Sequence, residues 1–396
     1  MKIPTREVSY GAAAAKRGHA PTLGNRTTAL TWTDPTSENL ALPSSMSVIL
    51  STARLNFPFE TDSPFLFAVY HLDRYPAGND KLGPAASLSG HRIGADFGNP
   101  VGWSMYHGEE GVPGFPKHPH RGFETITITR QGLVDHTDSL GNGGRFGFGD
   151  VQWMTAGSGI SHAEMFPLLN RDRGNTLELF QIWLNLPRAS KMAAPSFKML
   201  WAEELASKVV ADGASGAAAE VVLVAGSLPG FAAPPAPPPD SYAVAPEHGV
   251  CVLTVKLAAG AAWTLPAYDG PGGTASLHRN LYYYAGSGLS VGGTGMRDSQ
   301  RIKVRADSEV ELRASTAGPV EVLVLQGRDI GEPVVSHGPF VGNTKEDIMK
   351  AFSDYQRTGF GNWPWDSDAL VFPRERTRFA KHADGTLVEK PIPALR

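Results

Sequence analysis

At 396 residues the chain is longer than one typical domain and reads as two. Its 44 glycines and 31 prolines suit short strands and turns better than a helical bundle. A net charge of −3 offers no pull toward nucleic acid or anionic lipid, the single Cys251 excludes an intramolecular disulfide or thiolate zinc cluster, and no apolar run is long enough to span a membrane.

Taken in order, residues 1–45 are rich in Ala, Ser, Thr and Arg and poor in acids. They read as a disordered extension with a faintly leader-like composition. A first strand is expected at 64–69, followed by Gly-, Pro- and Asp-rich loops to Pro116. Closely spaced strands come next, at 118–129, 132–138, 149–155, 162–166 and 177–186, with Gly-rich turns between them. In the last of these, Phe180, Ile182, Leu184 and Leu186 share one face, and Gln181, Trp183 and Asn185 the other. Beyond Pro187 a short helix is expected at 201–210, then low-complexity GASGAAA (213–219) and FAAPPAPPPD (231–240), the latter an extended loop. Strands resume at 250–257, 281–285, 308–312 and 320–325. A helix then follows Asn343 as N-cap, with Glu346 three residues on, an apolar stripe of Ile348, Phe352 and Tyr355, and Gly359 as its stop. Arg374, Arg376, Arg378 and Lys381 read as a solvated tail. The pattern is all-β, two antiparallel jelly-roll-like barrels with a C-terminal helix and tail. Its segments are a 1–45 extension, a 46–192 metal-binding domain, a 193–332 domain without metal and a 333–396 closing segment.

The chemistry concentrates in two places. Residues i and i+2 of a strand share a face, so His118 and His120 project together, as do His162 and Glu164. Three imidazoles and a carboxylate suit Fe(II), Mn, Ni, Cu or Zn. Glu124 lies on the parity of His120 and is either a fifth ligand or, the favoured reading, a residue that orients one, and it is a second candidate base beside Glu164, while Arg121 points away. Phe115, Phe123, Trp153 and Met154 are candidate walls of an apolar pocket or plain barrel packing. The other nine histidines are assigned no chemistry.

HPHRGFET (118–125), DSLGN (138–142), GDVQWMTAGSGISHAEM (149–165), QIWLNLP (181–187), GEPVVSHGPFVGNTKEDIMKAFSDYQ (331–356) and RFAKHADG (378–385) resemble the pirin family of the cupin superfamily across most of the chain. The resemblance implies two cupin barrels with metal only in the first, commonly iron, held by His118, His120, His162 and Glu164. The second half has no His-x-His, in keeping with that. The leader, residues 75–99 and the 231–246 loop depart from the family pattern. The implied activity is that of a flavonol (quercetin) 2,3-dioxygenase acting on a small aromatic substrate with dioxygen, Glu164 or Glu124 taking the substrate proton. The alternative is a redox-sensitive metal-binding module that co-regulates transcription or signalling through a protein partner, without touching nucleic acid. A monomer is expected, cytoplasmic, with a nuclear location in a eukaryote or an organellar one if the leader acts.

Overall fold

The computed structural model describes residues 47–108, 111–213 and 216–393; the expected extension lies outside them. The strand β1 (Ile49–Arg54) precedes a barrel of nine strands: β2 (Phe65–Tyr75), β3 (Gly114–His120), β4 (Phe123–Gln131), β5 (Leu133–Asp138), β6 (Gly143–Gly147), β7 (Val151–Thr155), β8 (Ile160–Met165), β9 (Asn175–Asn185) and β10 (Ser196–Leu200). One of its sheets runs β10-β7-β4-β9-β2 and the other contains β3-β8-β5-β6.

A second barrel is built from β11 (Ala206–Ala211), β12 (Ala218–Ala225), β13 (Cys251–Leu257), β14 (Ala262–Leu265), β15 (Leu277–Gly286), β16 (Leu289–Val291), β17 (Thr294–Gly295), β18 (Gln300–Val304), β19 (Val310–Ala314) and β20 (Val320–Arg328). Its sheets run β1-β18-β15-β20-β13-β12-β11 and β14-β19-β16-β17. The order β10-β7-β4-β9-β2 is thus repeated as β1-β18-β15-β20-β13, and β3-β8-β5-β6 as β14-β19-β16-β17. The internal duplication, too faint to establish from residue identities, is plain in strand order.

The two large sheets pack back to back. Ile126, Ile128, Trp153, Phe180 and Ile182 of the first meet Val252, Tyr282, Leu323 and Leu325 of the second in one buried cluster, each large apolar side chain contributing roughly 1.5–3 kcal/mol. The face of β9 predicted from its alternation is the one buried here. At the edge of this interface Arg130 pairs with Glu178 at 2.6 Å, and with Glu321 and the Tyr284 hydroxyl. Such a half-buried guanidinium needs partners to offset its lost hydration.

Both chain ends cross the expected domain boundaries. β1 precedes the first barrel yet completes the large sheet of the second. After β21 (Val335–His337), β22 (Phe340–Gly342) and the helix α1 (Lys345–Thr358), the strands β23 (Arg378–Lys381) and β24 (Leu387–Lys390) add to β6 of the first barrel. The tail is therefore not all solvated. Arg378 is fully buried and pairs with Asp150 at 2.7 Å and with Glu203, and Arg374 donates to main-chain carbonyls of Leu168, Leu169 and Asn79. A basic run looks solvated from composition alone; the acids that neutralise Arg378 lie far away in the chain.

Two local expectations also change. Residues 201–210 hold only a three-residue 3-10 turn, Ala202–Glu204, before β11, which is drawn into a sheet by pairing with β12; β-branched Val209 and Val210 favour the strand. Thr344, not Asn343, caps α1, in a capping box with Asp347, and Gly359 ends the helix at φ 60° as expected. Among the described residues no helix is long and apolar enough to cross a membrane.

Candidate metal centre

β3 and β8 pair antiparallel with His118 opposite His162 and His120 opposite Ile160. Cross-strand partners share a face, so all three histidines point into the first barrel. A bulge between Phe115 and His118 adds one residue to β3 and brings Phe115, opposite Glu164, to that face as well. The turn into β8 is closed by Gly159 at φ 130°, where a Cβ would stand 2.6 Å from the Phe360 ring. The closing segment is fastened to the same strands: Ser161 Oγ donates to Gly359 O (2.9 Å) and Arg121 pairs with Asp354 of α1 (2.9 Å).

Ligand atoms of His118, His120 and His162 all lie within 4.8 Å of one another. His118 Nδ1 donates to Pro116 O at 2.8 Å, which fixes the tautomer and leaves Nε2 with a free lone pair. Neither ring nitrogen of His120 or His162 has a hydrogen bond of good geometry among the described residues, though the Pro339 carbonyl lies near enough to His120 to favour its proton slightly. Burial pushes His118 down to about 4, and burial together with the neighbouring imidazoles holds His120 and His162 well below the ordinary histidine range. Buried, neutral imidazoles with unused lone pairs are what a divalent cation needs, and the donor set fits one.

Glu164 is buried beside them, 3.8 Å from His162 Nε2, and accepts from Gln181 Nε2 (2.7 Å) and Thr127 Oγ1 (3.3 Å). Burial raises its pKa, while His136, Gln181 and Thr127 act the other way. His136 was passed over in the sequence. It stands opposite Glu164 across β5 and β8, and its ring lies 5.4 Å from that of His162. Both its nitrogens have partners, Asp138 at 3.3 Å and Gln152 at 3.2 Å, so it buttresses the histidine cluster. The His-x-Asp alternation at 136 and 138 was the available signal.

Glu124 goes elsewhere. Parity does not carry from His120 to Glu124, because the strand breaks at Arg121-Gly122. Gly122 sits at φ 88° with Val341 O where a Cβ would be, and the residues after it restart on a new face. Phe123 and Thr127 face the site, whereas Glu124 is buried on the face shared with Ile126, accepting from Thr155 Oγ1 (2.6 Å) and Ser241 Oγ (2.5 Å). Its expected support of the ligands is therefore corrected. Trp153, opposite Ile126 across β4 and β7, shares that face and falls in the core between the barrels, and Met154 packs with Ala156 and Ile160. The aromatic wall near the histidines is Phe115, 6.4 Å from His118, and Phe123, 5.1 Å from His120. Trp183 stacks on Phe123 at 3.9 Å and lies 5.2 Å from His120.

A duplicated antiparallel barrel with a histidine cluster inside one copy defines a two-domain cupin with, among the described residues, a single candidate metal centre. Residues 93–184 match the Pirin family and residues 252–361 the Pirin C-terminal cupin domain. A Pseudomonas aeruginosa protein named "Putative quercetin 2,3-dioxygenase" is 36% identical over 267 residues, covering 67% of this chain and 84% of its own. Mouse Pirin is 34% identical over 266 residues, covering 64% and 81%. Among solved structures, a quercetin 2,3-dioxygenase from Acinetobacter baumannii superposes with a TM-score of 0.60 at 25% identity, covering 79% of this chain and 98% of its own. The chain belongs to the pirin family.

Proposed function

We propose that the protein is a metal-dependent flavonol 2,3-dioxygenase, with His118, His120, His162 and Glu164 holding one divalent ion, Fe(II) in the first instance. The observation that carries this reading is the convergence of three neutral imidazoles within 4.8 Å, His120 and His162 buried and His118 half-buried, next to an aromatic wall. The names carried by the Pseudomonas and Acinetobacter relatives support the reaction class.

When bound, a divalent ion acts as a Lewis acid toward the substrate's 3-hydroxyl and lowers its pKa. The residues do the rest. Phe115, Phe123 and Trp183 line the site with apolar ring surface, which excludes water from the reacting carbons. Burial, which raises the pKa of Glu164, suits its carboxylate to receive the 3-hydroxyl proton. Gln181 and Thr127 hold that carboxyl in position.

The test is dioxygen uptake and carbon monoxide release with quercetin on metal-reconstituted full-length protein and on His118→Ala, together with metal analysis. Stoichiometric iron and turnover lost in the variant are expected. Tight metal binding without turnover would discard the oxygenase reading in favour of a metal-dependent interaction module.

A further inference from the structure

The second barrel has its own cavity, of about 460 Å³, at the end where the 231–240 loop lies. Pro234, Pro235 and Pro237 form part of its lip, and Leu228, Leu253 and Leu265 are among its apolar walls. Thus the low-complexity stretch shapes an opening. Three polar side chains stand together at the cavity. Cys251 on β13, Gln326 on β20 and Arg279 on β15 are neighbours in register, Gln326 lying opposite both of the others.

Arg279 is only 3% exposed, yet among the described residues it makes no ion pair. Nε donates to Gln326 Oε1 at 2.6 Å and Nη1 to Pro266 O at 2.8 Å; Nη2 has no hydrogen bond among the described residues. Gln326 is itself oriented by its amide donating to Gly249 O at 3.0 Å. Asp307 acts on the charge only from a distance, without an ion pair. Burial pushes the Cys251 thiol up to about 12, so it stays neutral. Asp269 at the rim is exposed, and the exposed Asp307 is engaged by Arg305 at 2.6 Å. Arg279 is lowered by burial, to about 10, and remains a cation at neutral pH.

A guanidinium withdrawn from water and lacking an acid is a fork-shaped receptor for a carboxylate. The apolar walls and the volume, inside the range of small-molecule sites, specify the rest of the ligand. We propose that the second barrel binds a small carboxylate with an apolar body, its carboxyl on Arg279 and its body against Leu228, Leu253 and the proline lip. This site is separate from the histidine centre and independent of any metal there.

The experiment is calorimetric titration of the full-length protein at neutral pH with octanoate and benzoate, against octanol, which lacks the charge, and acetate, which lacks the body. Saturable one-site binding of the first two is expected, about tenfold or more above the controls. Arg279→Gln should lose it and Arg279→Lys weaken it. Because Arg279 also braces Gln326, the Gln variant is open to misfolding; Ala236→Trp, on the exposed lip, gives the second reading and should block the mouth without changing the melting temperature of the free protein. Chelator treatment and His118→Ala must leave the affinity unchanged, since a carboxylate bound to the other barrel's metal would vanish with it. Absence of saturable binding, binding that survives both Arg279→Gln and Ala236→Trp, or binding lost with the metal would each overturn the site.

Discussion

The two barrels share a strand plan and differ in what they place at equivalent points of it. In the first, β3 and β8 pair across the entrance to β4 and carry His118, His120 and His162 inward. In the second, β14 and β19 hold the same positions and carry Trp263, Leu265, Val310 and Leu312 inward, all in a hydrophobic core. The scaffold is therefore compatible with either a ligand cluster or apolar packing at these positions, and a few side chains decide. Burying imidazoles costs hydration, which a bound cation offsets; the second barrel avoids that cost at these positions and, among its described residues, confines its buried charge to Arg279.

That contrast can be broken most directly at matched positions. His162→Ala should lower metal affinity by more than the roughly 10–100-fold that losing a supporting group costs, read by metal titration with folding unchanged. Leu312→Ala, at the counterpart strand, should leave metal affinity alone and cost about 2–5 kcal/mol of stability in denaturant. If the leucine variant altered the metal as much as the histidine variant did, the division of labour would be wrong. Because burial holds His118 down to about 4, metal binding should persist as acid passes the ordinary histidine value near 6.5 and fail closer to pH 4.

The first barrel also borrows strands from the chain's end. Arg378→Ala would leave Asp150 buried without its cation, at an expected cost of about 3–5 kcal/mol, and hydrogen exchange should place the loosening at β6 and β23 rather than in the second barrel. Loosening spread evenly over both barrels would contradict the strand exchange.

Glu124 sharpens the comparison at the interface. Burial, against the Ser241, Thr155 and Trp153 side chains, pushes its carboxyl up to about 7 from 4.5. Between those values the folded protein holds a proton that the unfolded chain has released, so this group makes stability fall as pH rises through that window and level off above it. Glu124→Gln should remove the slope, gaining up to about 3 kcal/mol at pH 8 relative to the parent, as measured by urea unfolding across pH. Parallel curves for the two proteins would show that Glu124 is not buried as described. The smallest effect belongs to the closing helix: Thr344→Ala should cost about 1 kcal/mol, visible as a small shift in the unfolding midpoint, with metal content unchanged.

Much was legible along the chain because it was local. Alternation along β9, glycines at the turns, the histidine pairs two residues apart and the stop of α1 at Gly359 each depend on a few neighbouring residues and on the two-residue period of a strand. The all-β class and the three histidines followed from that alone. The tertiary structure decided whatever depended on distant partners. It turned Glu124 toward Ser241 once Gly122 had broken the strand, and it brought His136 behind His162. It buried Arg378 against Asp150, exchanged the end strands between the barrels and left Arg279 facing a cavity. Parity holds only while a strand is continuous, and a charge is satisfied only by whatever the fold brings beside it.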